Sequence, residues 1–325
     1  MAACRNDWRH GRAFGLDLAG RFRAPGIFTG AGRAASSATT LELAPRLALG
    51  REWPQGGRER LHAHQFGDGG PMLTVDRSAQ GYLLRVEGWG VYRVSPTGEH
   101  VLLAPGRALD WRGLRLVTAQ VLPLAALARG YELLHASAVG LGDRTIAIAG
   151  DSDSGKTTIA AHLALGGASM VTDDVLAVEG RDEGLVAHPG PRLLNLPGDI
   201  AADLTRDERR RLGAIIGRDA GGWRMLVERE ERALPLAALY FREPCDGPSP
   251  RVEPVGRPDP ALLLRACFHR GLRIPGRLAT QLDTCARLAR VPVFRLRAGR
   301  AVAPRVVAAA VREHAEATLQ EAVPP

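Results

Sequence analysis

Lysine is all but missing from this chain. Of the 43 Lys and Arg residues, 42 are arginine, and Lys156 stands alone. Cysteine is sparse as well. Cys4, Cys245, Cys267 and Cys285 are scattered with no Cys-x-x-Cys pair, which excludes a disulfide frame or zinc ribbon and leaves reduced thiols. No apolar run approaches the roughly 18 residues of a membrane span, since Arg, Gly or Pro interrupts each one, and Met1 to Arg12 lacks the apolar centre of a secretory signal. These absences predict a cytoplasmic protein with no membrane partner. No basic stripe interleaved with aromatics and no helix-turn-helix pattern occurs, so nucleic acid is not an expected partner. The net charge of +8 is spread along the chain and suits a solvated surface or an anionic ligand.

What is present suffices for two domains: 325 residues, 45% of them apolar. Residues 1–38 are rich in Gly, Ala, Arg and Ser, with little periodicity, and read as a loose tail. Residues 39–130 have a β texture. Gln80–Val86, Gly90–Val94 and His100–Leu103 are short runs with Val and Tyr, Ser95 to Gly98 is a turn, and an apolar helix over Leu114–Arg129 stops at Gly130. His62 and His64 share one face of a strand, as a metal pair would, but no third ligand stands at a telling spacing. Residues 131–325 form the second domain.

The lone lysine sits in Gly150-Asp151-Ser152-Asp153-Ser154-Gly155-Lys156-Thr157, which fits the phosphate-loop pattern of Gly, four free positions and Gly-Lys-Thr. Thr145–Ala149 before it suits a buried strand, and the alanine-rich run through Thr158 to Leu165 suits a helix ended by Gly166-Gly167. Such a loop turns backbone N–H groups around phosphates while the helix aims its positive end at them. ATP and Mg²⁺ are the implied ligands. Lys156 would reach the β and γ phosphates, and Thr157 would put its hydroxyl on the metal. A chain that has turned to arginine wherever either cation serves has kept a compact ammonium where a planar guanidinium would not fit.

Two acids and a histidine complete the constellation. Leu133 to Val139 and Thr145 to Ala149 form a hairpin about Gly142-Asp143, which sets His135 opposite Gly150 at the loop mouth. A strand over Ala168–Thr172 ends in Asp173-Asp174, and ligands of open α/β sheets lie off such carboxyl ends. Neighbouring residues at a strand end diverge, so one acid can hold the metal while the other serves as general base.

The ordered set of His135, the Gly150–Thr157 loop and Asp173-Asp174 resembles the catalytic domain of the HPr kinase/phosphorylase family. The 21 residues from His135 to Lys156 and the 17 from Lys156 to Asp173 suit that family. The resemblance implies an α/β fold of the HPr kinase and phosphoenolpyruvate carboxykinase type, carrying a mainly β N-terminal domain. It also implies transfer of the ATP γ-phosphate to a protein serine, with Asp174 as base and Asp173 on the metal side. The family's glycine-rich second signature has no counterpart; His188 to Leu196 stands in its place, so phosphorylase activity is not expected. Together with the N-terminal half, this is similar to HPr-kinase-like proteins of lasso-peptide and related peptide biosynthesis, implying a precursor peptide as acceptor. A homo-oligomer is compatible with this reading. A non-catalytic ATP-binding scaffold and a kinase of a small hydroxyl compound such as free serine are the alternatives.

The remainder is less specific. Thr205-Arg206-Asp207-Glu208 fits a capping box, Gly221 to Val227 could be a flap whose Arg224 meets a phosphate or merely decorates the surface, and Arg290–Leu296 reads as a late strand. Pro304–Glu321 closes as an amphipathic helix with Val306, Ala310 and Val311 inward.

Overall fold

A computed structural model describes residues 8–321 except 33–34, 47–48, 50–52, 55, 66–68, 107–108, 183, 220 and 270. The chain is mixed α/β with several sheets, and it divides into one unit of residues 1–131 with 269–278 and another of residues 132–268 with 279–325. Among the described residues no helix is long and apolar enough to cross a membrane.

The first unit carries β1 (Arg9–Ala13), β2 (Leu16–Gly20), β3 (Gly30–Ala31), β4 (Thr39–Leu43), β5 (Glu59–Gln65), β6 (Met72–Ser78), β7 (Gly81–Val86), β8 (Gly90–Val94) and β9 (His100–Pro105). They form one sheet in the order β3-β1-β2-β4-β9-β8-β7-β6-β5, with β5 to β9 a continuous antiparallel meander. The tail expected over residues 1–38 is thereby corrected for Arg9 to Ala31, while residues 1–7 and 33–34 of it lie outside the described residues. Its small residues serve close packing instead of looseness. A Cβ on Gly11 would fall 1.8 Å from the Ile27 carbonyl oxygen, and Ala13, Phe14, Leu16 and Leu18 are buried. The apolar helix begins earlier than its composition suggests, at Trp111, because the Asp110 carboxylate accepts from the N–H groups of Arg112 and Gly113. It passes through one π-type stretch, Val117–Val121, just before Pro123, and ends at Ala128. His62 and His64 stack with ring centroids 6.3 Å apart. No group of three or more His, Cys, Asp or Glu among the described residues could hold a metal ion.

Asp76 of β6 is fully buried between Arg60 of β5, which donates to one carboxylate oxygen, and Arg85 of β7, 3.1 Å from the other. Removing both cations strands a buried charge. Arg60→Ala with Arg85→Ala is expected to cost about 3 kcal/mol, read as a lower urea midpoint for the transition of this unit.

The second unit holds β10 (Glu132–Leu134), β11 (Ala136–Leu141), β12 (Arg144–Ala149), β13 (Ser169–Thr172), β14 (Leu176–Arg181), β15 (Gly184–His188), β16 (Leu193–Leu196), β17 (Gly213–Asp219), β18 (Gly222–Val227), β19 (Leu234–Pro244), β20 (Arg251–Pro254) and β21 (Val293–Ala298). The main sheet runs β10-β14-β15-β19-β12-β11-β13, with β21 beside β19 and β20 beside β21. β12, β19 and β21 are mutually parallel, and β13 points the same way because both β12 and β13 pair antiparallel to β11. β10 and β11 are one run broken at His135, and β13 and β14 one run broken at residues 173–175. The pairings therefore return on themselves as a ring. Across the gap the register is kept, Leu134 opposite Leu176 and Ala138 opposite Thr172.

Alternation along β12 builds a core on each face of this sheet. Ile146 and Ile148 join Ile159 and Leu163 of the Lys156–Leu165 helix and Val307 and Val311 of the Pro304–Glu321 helix. Ala147 and Ala149 face Leu239, Phe241, Leu263 and Leu288. In the closing helix Val311 is inward as expected, but Val306 is exposed and Ala310 only partly covered, and Val307, Ala308 and Ala315 join Val311 in the contact. The capping box at Thr205 and Glu208 forms with both of its hydrogen bonds.

Candidate functional site

Four pieces of the second unit meet at the carboxyl ends of β12 and β13. β12 delivers the Gly150–Gly155 loop, and the Lys156–Leu165 helix leaves it with no side-chain cap at its start. The first N–H groups of a helix have no partner within it, so this end presents donors and positive potential. Gly150 has φ of +155°, and a Cβ there would meet the Arg242 carbonyl oxygen and Ser154 Oγ, each at 2.9 Å. The loop can run so close to β19 only without a side chain.

Lys156 is buried and folds back over the loop, its Nζ donating to the carbonyl oxygens of Gly150 at 3.0 Å and Asp151 at 2.8 Å. Burial lowers its pKa, against the pull of the carboxylates of Asp174, Asp173, Asp151 and Asp153.

The adjacent acids part company. Asp173 is buried, and its Oδ1 accepts from Thr157 Oγ1 at 2.6 Å and Ser137 Oγ at 3.3 Å. Its Oδ2 accepts from the backbone N–H of Asn195 at 2.9 Å and from the Asn195 side-chain amide at 3.3 Å. Asp174 has a left-handed backbone, φ of +68°, which turns its side chain away, and Oδ1 lies 3.0 Å from His135 Nε2. Nearly half of the Asp174 side-chain surface is open to solvent. His135 is itself fixed from behind, its N–H donating to Ala266 O at 2.6 Å and its ring meeting Phe268 edge-on at 6.2 Å between centroids. The hairpin register is the expected one, Ala136 opposite Ala149, and His135 is the next residue, just off the ladder.

Burial, followed by the charge of Asp174, raises the pKa of Asp173 above the usual carboxylate range, although its hydrogen bonds to Thr157 and Asn195 oppose the shift. A carboxyl whose folded pKa is raised holds its proton more tightly when folded, so stability falls as pH rises from the unfolded pKa through the folded one. Asp173→Asn is expected to raise the melting temperature of the ligand-free protein at neutral pH, with the gap closing as pH falls toward 4. A mutant no more stable at pH 7 than the parent would show that the four donors already compensate the buried charge.

The donor set fits a hard cation and a polyphosphate. Thr157 and Asp173 offer oxygen ligands of the kind Mg²⁺ takes, leaving further positions to phosphate oxygens and water. Ser154 Oγ is buried within the loop with no hydrogen-bond partner, a donor ready for a ligand oxygen. Ser152, Asp153 and Thr158 complete the segment; Asp153 has a left-handed φ of +59°, and Thr158 is buried in the first turn of the helix.

Several contributors escape a reading of the sequence. Asn195 belongs to β16, an outer strand of the small sheet β16-β18-β17, and reaches Asp173 from 22 residues away. A signal existed in composition: the chain has two asparagines, Asn6 and Asn195. Ser137 lies two residues past His135, on the same face of its run. Ala266 and Phe268 arrive from more than 130 residues away, and nothing local marks them. Arg224 is neither surface decoration nor solvated: it is buried on β18 opposite Asn195, with Nη2 3.7 Å from Asp219 Oδ1.

No protein-family model matches the chain, and no curated protein does. Among solved structures, the Hpr(Ser) kinase/phosphatase from Coxiella burnetii aligns at 14% identity with a TM-score of 0.30, covering 58% of this chain and 94% of that one. At that similarity the alignment adds nothing to what the side chains themselves present.

Proposed function

We propose that this protein is an ATP-dependent kinase of the HPr-kinase kind, moving the γ-phosphate of Mg-ATP to a seryl hydroxyl of a peptide or small protein, without the reverse phosphorolysis. The observation that carries the reading is the division between the two acids. Asp173 is tied to Thr157 beside the lone lysine, whereas Asp174 is turned to His135 and open to an incoming substrate. The left-handed backbone at Asp174 gives the two neighbouring acids different partners, which supports assigning the cation to one and the proton to the other.

In this mechanism Asp174 takes the seryl proton as the serine oxygen bonds to the γ-phosphorus and the bond from that phosphorus to the β,γ-bridging oxygen breaks, releasing ADP. His135 holds the Asp174 carboxylate in position. Lys156 leaves the Gly150 and Asp151 carbonyls for the β and γ phosphates and offsets the charge developing there. Thr157 and Asp173 would hold Mg²⁺, which when bound neutralises phosphate charge and keeps the leaving group in line. Asn195 and Ser137 fix Asp173 so that it need not reorganise during transfer.

The test is incubation of the purified protein with γ-labelled ATP, Mg²⁺ and serine-containing peptides, with free serine alongside. Label on a peptide serine supports the reading. Label on free serine alone moves the acceptor to a small molecule, and label that stays on nucleotide despite binding points to a scaffold.

A further inference from the structure

The charge around the loop does not balance. Asp151, Asp153, Asp173 and Asp174 all act on the single ammonium of Lys156, and a nucleotide adds three or four more negative charges to the same space. One divalent ion and one lysine leave the site short of positive charge. Arg242 abuts the loop, but its guanidinium donates to the carbonyl oxygens of Glu243 and Ala298, the latter at 2.8 Å.

Arg265 is placed to supply the missing cation. Its Nη2 lies 3.6 Å from Asp151 Oδ2, and the carbonyl of the next residue, Ala266, receives the His135 N–H. Arg265 therefore stands between the first acid of the loop and the backbone that anchors the His135–Asp174 pair. Both side chains of the ion pair are at least half exposed, so water screens it and its hold is weak. A phosphate offers the same guanidinium two oxygens and more charge.

We propose that Arg265 is a phosphate-binding residue of this site, which exchanges Asp151 for the terminal phosphate of the bound nucleotide. The inference rests on the kinase reading above. It assigns to Asp151 a role the loop pattern does not require, that of parking the arginine until nucleotide arrives.

Calorimetry with Mg-ATP and Mg-ADP on the full chain tests this. Arg265→Gln is expected to weaken Mg-ATP binding about tenfold while changing Mg-ADP binding far less, and Arg265→Lys should recover part of the loss. Arg206→Gln, which removes one exposed positive charge from a separate helix, should alter neither affinity. Asp151→Asn should tighten Mg-ATP binding in the wild-type background and lose that effect when combined with Arg265→Gln, as expected of two groups that interact. Wild-type protein that binds neither nucleotide overturns the kinase reading and this inference with it. Wild-type binding with an unchanged ATP-to-ADP preference in Arg265→Gln overturns this inference alone.

Discussion

Asp174→Asn is expected to bind Mg-ATP with nearly unchanged affinity and to transfer phosphate about 10² to 10⁴ times more slowly. The amide matches the carboxylate in size and can still meet His135 Nε2, 3.0 Å away in the parent, so the local structure has no reason to move. What it cannot do is take a proton. The loss should appear in kcat and leave KM for ATP almost unaltered, because the proposed mechanism uses this group only as the seryl proton departs. Asp173→Asn should give the opposite pattern, a weaker grip on Mg²⁺ with the base intact. If Asp174→Asn transfers phosphate at the parental rate, Asp174 has no part in the proton transfer.

Lys156→Arg is the second large effect. Elsewhere in this chain arginine is the cation of choice, so the exchange tests whether one position requires something smaller. The ammonium is buried and reaches the Gly150 and Asp151 carbonyl oxygens within hydrogen-bonding distance. A guanidinium is broad and planar and would have to displace the loop to enter. The expected result is a fall of about 10²-fold or more in kcat/KM, the scale seen when one preorganised donor is lost. Circular dichroism should show the fold retained. Activity within a few-fold of the parent would mean that the lysine survives for a reason unconnected with phosphate.

How much of this could be seen in the sequence varies with how local the cause is. The strand, loop and helix around Lys156 were legible because a β-branched apolar run, a glycine-bounded turn and an alanine-rich run follow one another, each with its own local signal. The strand before Asp173 and the hairpin register were legible for a similar reason, since both follow from turn residues and alternation over a few positions. Asn195, Ala266 and Phe268 were not, because they come from a strand, a helix end and a turn whose spatial partners no local pattern names. The misread N-terminus has another cause. Gly11 and Gly20 carry no side chain so that Ile27 and Phe28 can approach, and a composition that allows close packing is the same one that marks a loose tail. In the last helix Val311 was read correctly and Val306 was not, because Val306 and Val307 are adjacent and identical, so only the surface beneath could decide which points inward.

The ring of pairings in the second unit has a bearing on how firmly the two acids are placed. An open sheet can fray from its outer strands, and a residue near a fraying border drifts with it. Here His135 and Asp173 to Val175 interrupt two runs that are clamped by the same partners above and below the interruption, Leu134 with Leu176 on one side and Ala138 with Thr172 on the other. The opening is a buttonhole and not a torn hem: stitches at both ends hold the places from which His135, Asp173 and Asp174 depart.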